Sequence, residues 1–166
     1  PFAAGLANWS SGNGRPGDAS YSGVATAGLV TGDQDFGTCF ELQKSSATQR
    51  IRAFAQTPLQ PDMYLRVTVR LKAVAGNLPA VRIAAWVGDV TEANVGGVVQ
   101  AGPSVALTQY GEIVTVQAIV GAGNRTGVTM AWAAAGVFAH IGLDLTGSTG
   151  GVLRIDDLVI EDITQV

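Results

Sequence analysis

Apolar and polar residues alternate over short runs that end at glycine- or proline-containing turns, and this pattern constrains the fold more than any other feature. The run Arg66–Ala73 is a clear example, because every second residue in it is apolar. The same period of two runs through Gln49–Gln56, Val81–Val87 and Ala139–Leu145. Strands of this length, recurring with turn signals between them, predict an all-β fold, and we expect a two-sheet antiparallel jelly-roll sandwich.

Turn-forming residues crowd the first part of the chain, where Ser10–Gly17 and Ser20–Gly23 contain several glycines and a proline. We therefore expect one domain over residues 1–166, in which residues 1–35 form a loop-rich clasp with a short strand near Trp9 and residues 36–163 form the sandwich. The opening Pro1-Phe2-Ala3-Ala4 lacks the pattern of a signal peptide, and we expect the chain to be part of a longer protein.

Charge and cysteine content exclude several functions. The net charge of −3 provides no basic stripe for nucleic acid, so we expect no nucleic-acid partner. No apolar stretch reaches the roughly 18 residues that span a bilayer, so we expect no membrane insertion. The single cysteine, Cys39, cannot form an intrachain disulfide, and its apolar neighbours predict a buried, unreactive thiol.

The residues that alternate with the core positions include an unusual number of aromatic and arginine side chains. A flat aromatic ring covers the apolar face of a sugar, and arginine pairs with carboxylates, so this set predicts a site for an acidic polysaccharide. The candidate ligand-binding residues are Trp86, Arg82, Arg70, Phe54, Gln56, His140 and Asp144. The alternative is that the N-terminal loop covers Trp86 and that the arginines are ordinary solvated residues.

A second set of candidates is acidic. Calcium takes six to eight oxygen ligands from carboxylates and loop carbonyls, and a calcium site is one hypothesis for Asp33, Asp35, Glu41, Asp156 and Asp157. The alternative is that Asp33 and Asp35 bond the backbone amides of their own turn. The apolar parity also switches across Asp156-Asp157, which predicts a β-bulge in the last strand.

Catalysis is a further functional hypothesis. The sole histidine, His140, lies on a predicted strand, and no serine stands in a glycine-flanked nucleophile elbow. A polysaccharide lyase with His140 as the base and Arg82 or Arg70 as the charge neutraliser remains an alternative. We expect a protein that is not an enzyme.

Three segments of the chain resemble carbohydrate-binding modules of the jelly-roll, galactose-binding-like type. Tyr64–Ala73, followed by Gly76, is similar to their central strand, and Leu107–Glu112 resembles the approach to the next strand. Val152–Glu161 resembles their closing strand, in which an Asp-Asp pair is common. The resemblance covers roughly residues 36–163 and implies the fold more strongly than a ligand.

A resemblance over nearly the whole chain is to the N-terminal domain of alphaproteobacterial right-handed β-helix proteins of the pectate-lyase or tailspike kind. The residues that carry it are Asn8–Gly14, Asp33–Cys39, Gly102–Leu107 and Gly142–Gly147. It implies a non-catalytic module for carbohydrate binding or attachment, at the bacterial cell exterior or on a particle surface, with surface polysaccharide or capsule glycan as the partner. The alternative that it implies is a structural head or adaptor domain that anchors a spike to a phage-like gene transfer agent, with capsid or spike proteins and further copies of the chain as partners.

Overall fold

The computed structural model describes residues 9–11, 24–45, 47–58, 64–88, 100–121, 127, 130–131 and 138–164. Twelve strands form among these residues. They are β1 (Trp9–Ser11), β2 (Val24–Asp33), β3 (Gly37–Lys44), β4 (Thr48–Pro58), β5 (Leu65–Ala75), β6 (Ala80–Gly88), β7 (Gln100–Ala101), β8 (Val105–Ala106), β9 (Val114–Gly121), β10 (Met130–Ala131), β11 (Phe138–Thr146) and β12 (Val152–Asp162). No helix in the described part of the chain is long and apolar enough to cross a membrane.

The strands form two sheets of six strands each. Sheet A has the order β1-β4-β11-β6-β7, and β8 also pairs with β6. Sheet B has the order β10-β9-β5-β12-β3-β2. Neighbouring strands run antiparallel except for the short pair β9–β10, which is parallel. The chain is therefore an all-β protein with two antiparallel sheets, as the alternation of apolar residues predicts.

The hydrophobic core contains residues from both sheets. In β5 the predicted core residues Val67, Val69, Leu71 and Ala73 are all completely buried. The other fully buried residues of the core include Phe40, Leu42, Ile51, Val81, Ile83, Ile141, Leu143, Leu145, Leu153 and Ile155.

 The two sheets thus pack against one shared hydrophobic core, which includes the completely buried Leu153 of β12.

Two strands differ from the sequence expectation. Residues 24–33 were expected within the loop-rich clasp, but they form β2, an edge strand that pairs with β3. Its sequence of small and glycine residues carries no clear apolar alternation, which explains why the strand signal was missed. The short strand β7 was also not expected. The sandwich therefore begins earlier in the chain than Phe36.

The predicted β-bulge in the closing strand is confirmed. Ile155 of β12 pairs with Leu71, whereas Asp157 pairs with the adjacent Arg70, so Asp156 is the extra residue. An extra residue shifts the register by one position and moves the apolar side chains to the other parity.

A buried lysine ties two connections of the sandwich together. The side chain of Lys44, which is 1% exposed, donates from Nζ to the carbonyl oxygen of Ala47 at 2.8 Å and to that of Gly147 at 2.6 Å. Burial lowers the pKa of Lys44 from its ordinary value. These bonds join the β3–β4 connection to the turn after β11.

Candidate functional site

Six of the seven predicted ligand-binding residues lie on three adjacent strands of sheet A. Phe54 and Gln56 are on β4, Arg82 and Trp86 on β6, and His140 and Asp144 on β11 between them. The register pairs Asp144 directly with Arg82 and His140 directly with Trp86. For Phe54, Gln56, Trp86 and His140 the structure describes the strand position alone, so their side-chain roles stay predictions.

Arg82 and Asp144 form an ion pair on sheet A, with Arg82 Nη2 at 3.2 Å from Asp144 Oδ2. The Asp144 side chain is completely buried, while 35% of the Arg82 side chain is exposed. Asp144 alternates with the core residues of β11, as predicted, but its side chain is not open to a ligand. The buried carboxylate instead holds a guanidinium that reaches the surface. Arg82 Nε is itself buried and has no hydrogen-bond partner among the residues that the structure describes.

Between these two cross-strand pairs lies a pair of small residues. Gly142 of β11 pairs with Ala84 of β6, two positions away from both Arg82 and Trp86. Residues two apart in a strand are separated by about 6.6 Å. The pairs Asp144–Arg82 and His140–Trp86 therefore follow one another along sheet A with only Gly142 and Ala84 between them.

The structure separates Arg70 from the other candidates, so the prediction that it shares a site with Arg82 and Trp86 is wrong. Arg70 lies on β5 of sheet B, where its Nη1 is 3.2 Å from Asp156 Oδ2. Its guanidinium carbon is also 5.7 Å from the centre of the Phe36 ring. Outward alternation is a property of both sheets of a sandwich, and it does not tell which sheet a strand joins.

Three of the predicted acidic residues converge on sheet B, but they converge on two cations of the protein. Lys72 Nζ is 2.8 Å from Asp33 Oδ1 and 2.7 Å from Asp35 Oδ2. Arg154 reaches Asp33 Oδ2 through Nη1 and Glu41 Oε2 through Nε, each at 2.8 Å. We call these five residues the sheet B ion cluster. Sequence reasoning missed its two cations, Lys72 and Arg154, because each simply alternates with the core residues of its strand.

The ion cluster is partly closed by the turn between β2 and β3. Asp33 Oδ1 accepts hydrogen bonds from the amides of Asp35 and Phe36 at 2.9 and 3.0 Å. The alternative reading of Asp33, as a residue that bonds its own turn, is therefore confirmed. Phe36 is buried, and its ring centre lies 4.8 Å from Lys72 Nζ. The aromatic face adds a favourable contact for the ammonium.

The hydrogen bonds of the sheet B ion cluster shift the pKa values of its side chains. Burial alone would raise the pKa of Asp33, but the hydrogen bonds from Lys72, Arg154 and the turn amides outweigh it and hold the pKa well below its ordinary value. Burial would lower the pKa of Lys72, but its hydrogen bonds to Asp33 and Asp35 outweigh that effect and raise it. Cys39 is completely buried. Its burial raises the pKa of the thiol, and the negative charge of Asp33 raises it further. A buried thiol with a raised pKa is the unreactive kind that the sequence predicts.

Four of the five predicted calcium ligands are thus divided between two places. Asp33, Asp35 and Glu41 bond Lys72 and Arg154, whereas Asp156 bonds Arg70. Among the described residues, no group of three or more histidine, cysteine or acidic side chains is arranged to hold a metal ion. Calcium binding stays a prediction, and the protein's own cations already neutralise the carboxylates that would supply the ligands.

By sequence, the chain matches no known family description and no curated protein. By structure, it is similar to carbohydrate-binding modules. The CBM22-1 xylan-binding domain from Paenibacillus barcinonensis Xyn10C aligns at a TM-score of 0.60 and 11% identity, over 96% of this chain and 88% of that one. TmCBM61, solved with beta-1,4-galactotriose, aligns at a TM-score of 0.53 and 16% identity, over 97% of this chain and 93% of that one. These similarities establish the jelly-roll fold.

Part of a phage protein has a similar fold. The enzymatically active domain of bacteriophage CBA120 tailspike protein 4 aligns at a TM-score of 0.52 and 14% identity. The alignment covers 95% of this chain and 20% of the tailspike chain. The chain therefore spans about a fifth of the length of that structure.

Proposed function

We propose that the protein is a non-catalytic carbohydrate-binding module that recognises surface polysaccharide through sheet A. The observation that carries the proposal is the succession of two cross-strand pairs, Asp144–Arg82 and His140–Trp86, along neighbouring strands. Several proteins of the same fold are named as carbohydrate-binding modules, which supports this class of ligand.

In this proposal the two pairs have different roles. The indole of Trp86 covers the apolar face of a sugar ring, and His140, Phe54 and Gln56 border the same site. Arg82 bonds a carboxylate or hydroxyl of the sugar with the exposed part of its guanidinium. Asp144 is a positioning residue, because its buried carboxylate bonds Arg82 Nη2 and holds the side chain in one orientation.

The test is retention on an array of polysaccharides by the whole chain and by matched variants. We expect Trp86→Ala to weaken binding by about tenfold or more, through the loss of ring stacking. Arg82→Lys keeps the charge but loses the two-pronged geometry of the guanidinium, so acidic glycans should bind more weakly. Arg70→Lys is the control, because that arginine lies on sheet B.

Each variant should first be shown to unfold at the wild-type temperature. Binding that is equal in Trp86→Ala and the wild type would refute the proposed site. A wild-type chain that binds no glycan on the array would refute the proposed function.

The second candidate is a structural module that anchors a β-helix spike to a phage-like particle. The specific observation in its favour is the similarity to part of a phage tailspike structure, of which the aligned region is a fifth. This function predicts self-association of the isolated chain, which light scattering would detect as a mass above that of the 17.0 kDa monomer. A monomer that binds glycan would favour the first candidate.

A further inference from the structure

Exposed apolar side chains gather on two adjoining connections at one end of the sandwich. Five large hydrophobic side chains are exposed among the described residues, and three of them lie in the β5–β6 turn and the β8–β9 loop. They are Leu78 at 37%, Tyr110 at 58% and Ile113 at 40% exposure. Single exposed apolar residues are common on protein surfaces. Three of them on two neighbouring segments indicate a ligand-binding surface.

The Tyr110 ring is fixed in place by hydrogen bonds that its loop makes to β5 and to the β5–β6 turn. Its hydroxyl donates to the carbonyl oxygen of Gly76, and the next amide, that of Gly111, donates to the carbonyl oxygen of Ala73 at 2.8 Å. The loop is also attached at its start, where the amide of Leu107 donates to the carbonyl oxygen of Pro79 at 2.9 Å. A ring that is already held in one position loses little conformational entropy when a ligand covers it.

Polar groups stand on the same loop as the exposed ring. Thr108 Oγ1 lies 3.1 Å from Glu112 Oε2, and both residues are exposed. Gln109, next to Tyr110, is exposed as well. A rigid aromatic face with hydrogen-bonding groups beside it suits a sugar ring, which is apolar on its face and polar around its rim.

The charge of this end determines which sugar would fit. Glu112 is the single charged residue in the segments 76–79 and 107–113. Its carboxylate would repel a uronic acid and accept hydrogen bonds from the hydroxyls of an uncharged sugar. This preference differs from that of the Arg82 side chain on sheet A.

We infer that Tyr110 is the centre of a second carbohydrate subsite, specific for a neutral glycosyl residue. The inference deepens the proposed function and rests on it. The loop that carries Tyr110 follows β8, which pairs with Ala80 and Val81 immediately before Arg82 in β6. The second subsite is thus joined directly to the strand that holds the first.

A sugar fits this surface better than a protein does. A standard protein interface covers about 800 Å² on each partner and involves 20 to 30 residues. The exposed apolar part of this surface consists of three side chains on two short segments. One or two stacked glycosyl residues match that extent.

The experiment is titration of the isotope-labelled whole chain with xylohexaose and beta-1,4-galactotriose, followed by amide chemical shifts. We expect the amides of Gln109, Tyr110 and Gly111 to shift with added neutral sugar. Tyr110→Ala should weaken this binding by about tenfold, whereas Tyr110→Phe, which keeps the ring, should weaken it by less than about threefold. Leu29→Ala is the matched control, because it removes an exposed apolar side chain from β2 and should leave binding unchanged.

The outcomes separate this inference from the proposed function. If Trp86→Ala loses binding and Tyr110→Ala retains it, with shifts confined to β6 and β11, the second subsite is refuted and the first stands. If Tyr110→Ala alone loses binding, the second subsite stands and the site on sheet A is refuted. Self-association that depends on Tyr110, without shifts on adding either sugar, would overturn the inference and identify the surface as a protein contact.

Discussion

The ammonium nitrogen of Lys72 lies 2.8 Å from a carboxylate oxygen of Asp33, and the side chains are 7% and 1% exposed. Lys72 occupies a position of β5 that alternates with the core, yet it is buried because the β2–β3 turn carries Asp33, Asp35 and Phe36 to it. This pair joins the edge of sheet B to its centre.

Replacement of Asp33 by asparagine should destabilise the fold by about 3 kcal/mol, because it leaves the buried Lys72 and the Arg154 side chain without their shared carboxylate. Denaturant unfolding at pH 7 would measure the loss. Glu161→Gln is the control, since Glu161 and Arg66 form an exposed pair at 3.5 Å and such pairs contribute little. Equal stabilities of the two variants would contradict the central place of Asp33 in the cluster.

The stability should also depend on pH through Asp33. Its pKa in the folded state lies below that of the unfolded chain, which is about 4, so the unfolded chain takes up the proton first as the pH falls. The contribution of Asp33 is therefore complete above about pH 5 and is lost progressively as the pH falls through 4 toward the folded pKa. Unfolding of the wild type and of Asp33→Asn at pH 7, 4 and 3 should show a smaller loss in the variant. Parallel losses would contradict the assignment.

Removal of the buried Lys44 ammonium should loosen the two connections that it joins. In Lys44→Met the carbonyl oxygens of Ala47 and Gly147 lose the donor, and we expect a cost of about 2 kcal/mol. Gln43→Met, at the neighbouring half-buried position, is the control and should change stability by less than about 1 kcal/mol. Thermal unfolding of both variants measures the difference, and a Lys44→Met variant as stable as the wild type would disprove the role of these bonds.

Three glycine-to-alanine variants separate backbone strain from lack of space. At Gly76, φ is +72° and an added Cβ would overlap the carbonyl oxygen of Gly150, so we expect a loss of at least about 2 kcal/mol. At Gly32, φ is +76° but the space is open, and about 1 kcal/mol is expected. At Gly28 neither condition holds, and stability should change by less than about 0.5 kcal/mol. Any other order of the three melting temperatures would contradict this explanation.

Cys39 should not react with thiol reagents while the chain is folded. Its side chain is completely buried, and its raised pKa keeps it in the neutral form at pH 8. We expect labelling by iodoacetamide in the native state to be at least about a hundredfold slower than in denaturant. The unfolded chain serves as the control, and rapid native labelling would contradict the burial of the thiol.

Local alternation was sufficient to predict the fold class, the core residues of β5 and the bulge at Asp156. These features depend on the period of the side chains along one strand, which is written in consecutive residues. Strand β2 was missed because small residues and glycines give no such alternation. The same local reasoning grouped Phe54, Arg82, Trp86, His140 and Asp144 by their outward parity alone. That strands β4, β11 and β6 are neighbours in sheet A is a result of the tertiary structure.

Alternation along a strand does not tell which strands distant in the chain will pair. The tertiary structure alone decided that Arg70 belongs to sheet B and that Asp33 meets Lys72 and Arg154, residues 39 and 121 positions away. It likewise decided that Tyr110 is held against Gly76 and remains exposed. The sequence by itself determined which residues leave the core and which enter it. The order of the strands determined which of the outward residues meet. Alternation along one strand tells which way a side chain points, but only the strand order tells which side chains of other strands lie next to it.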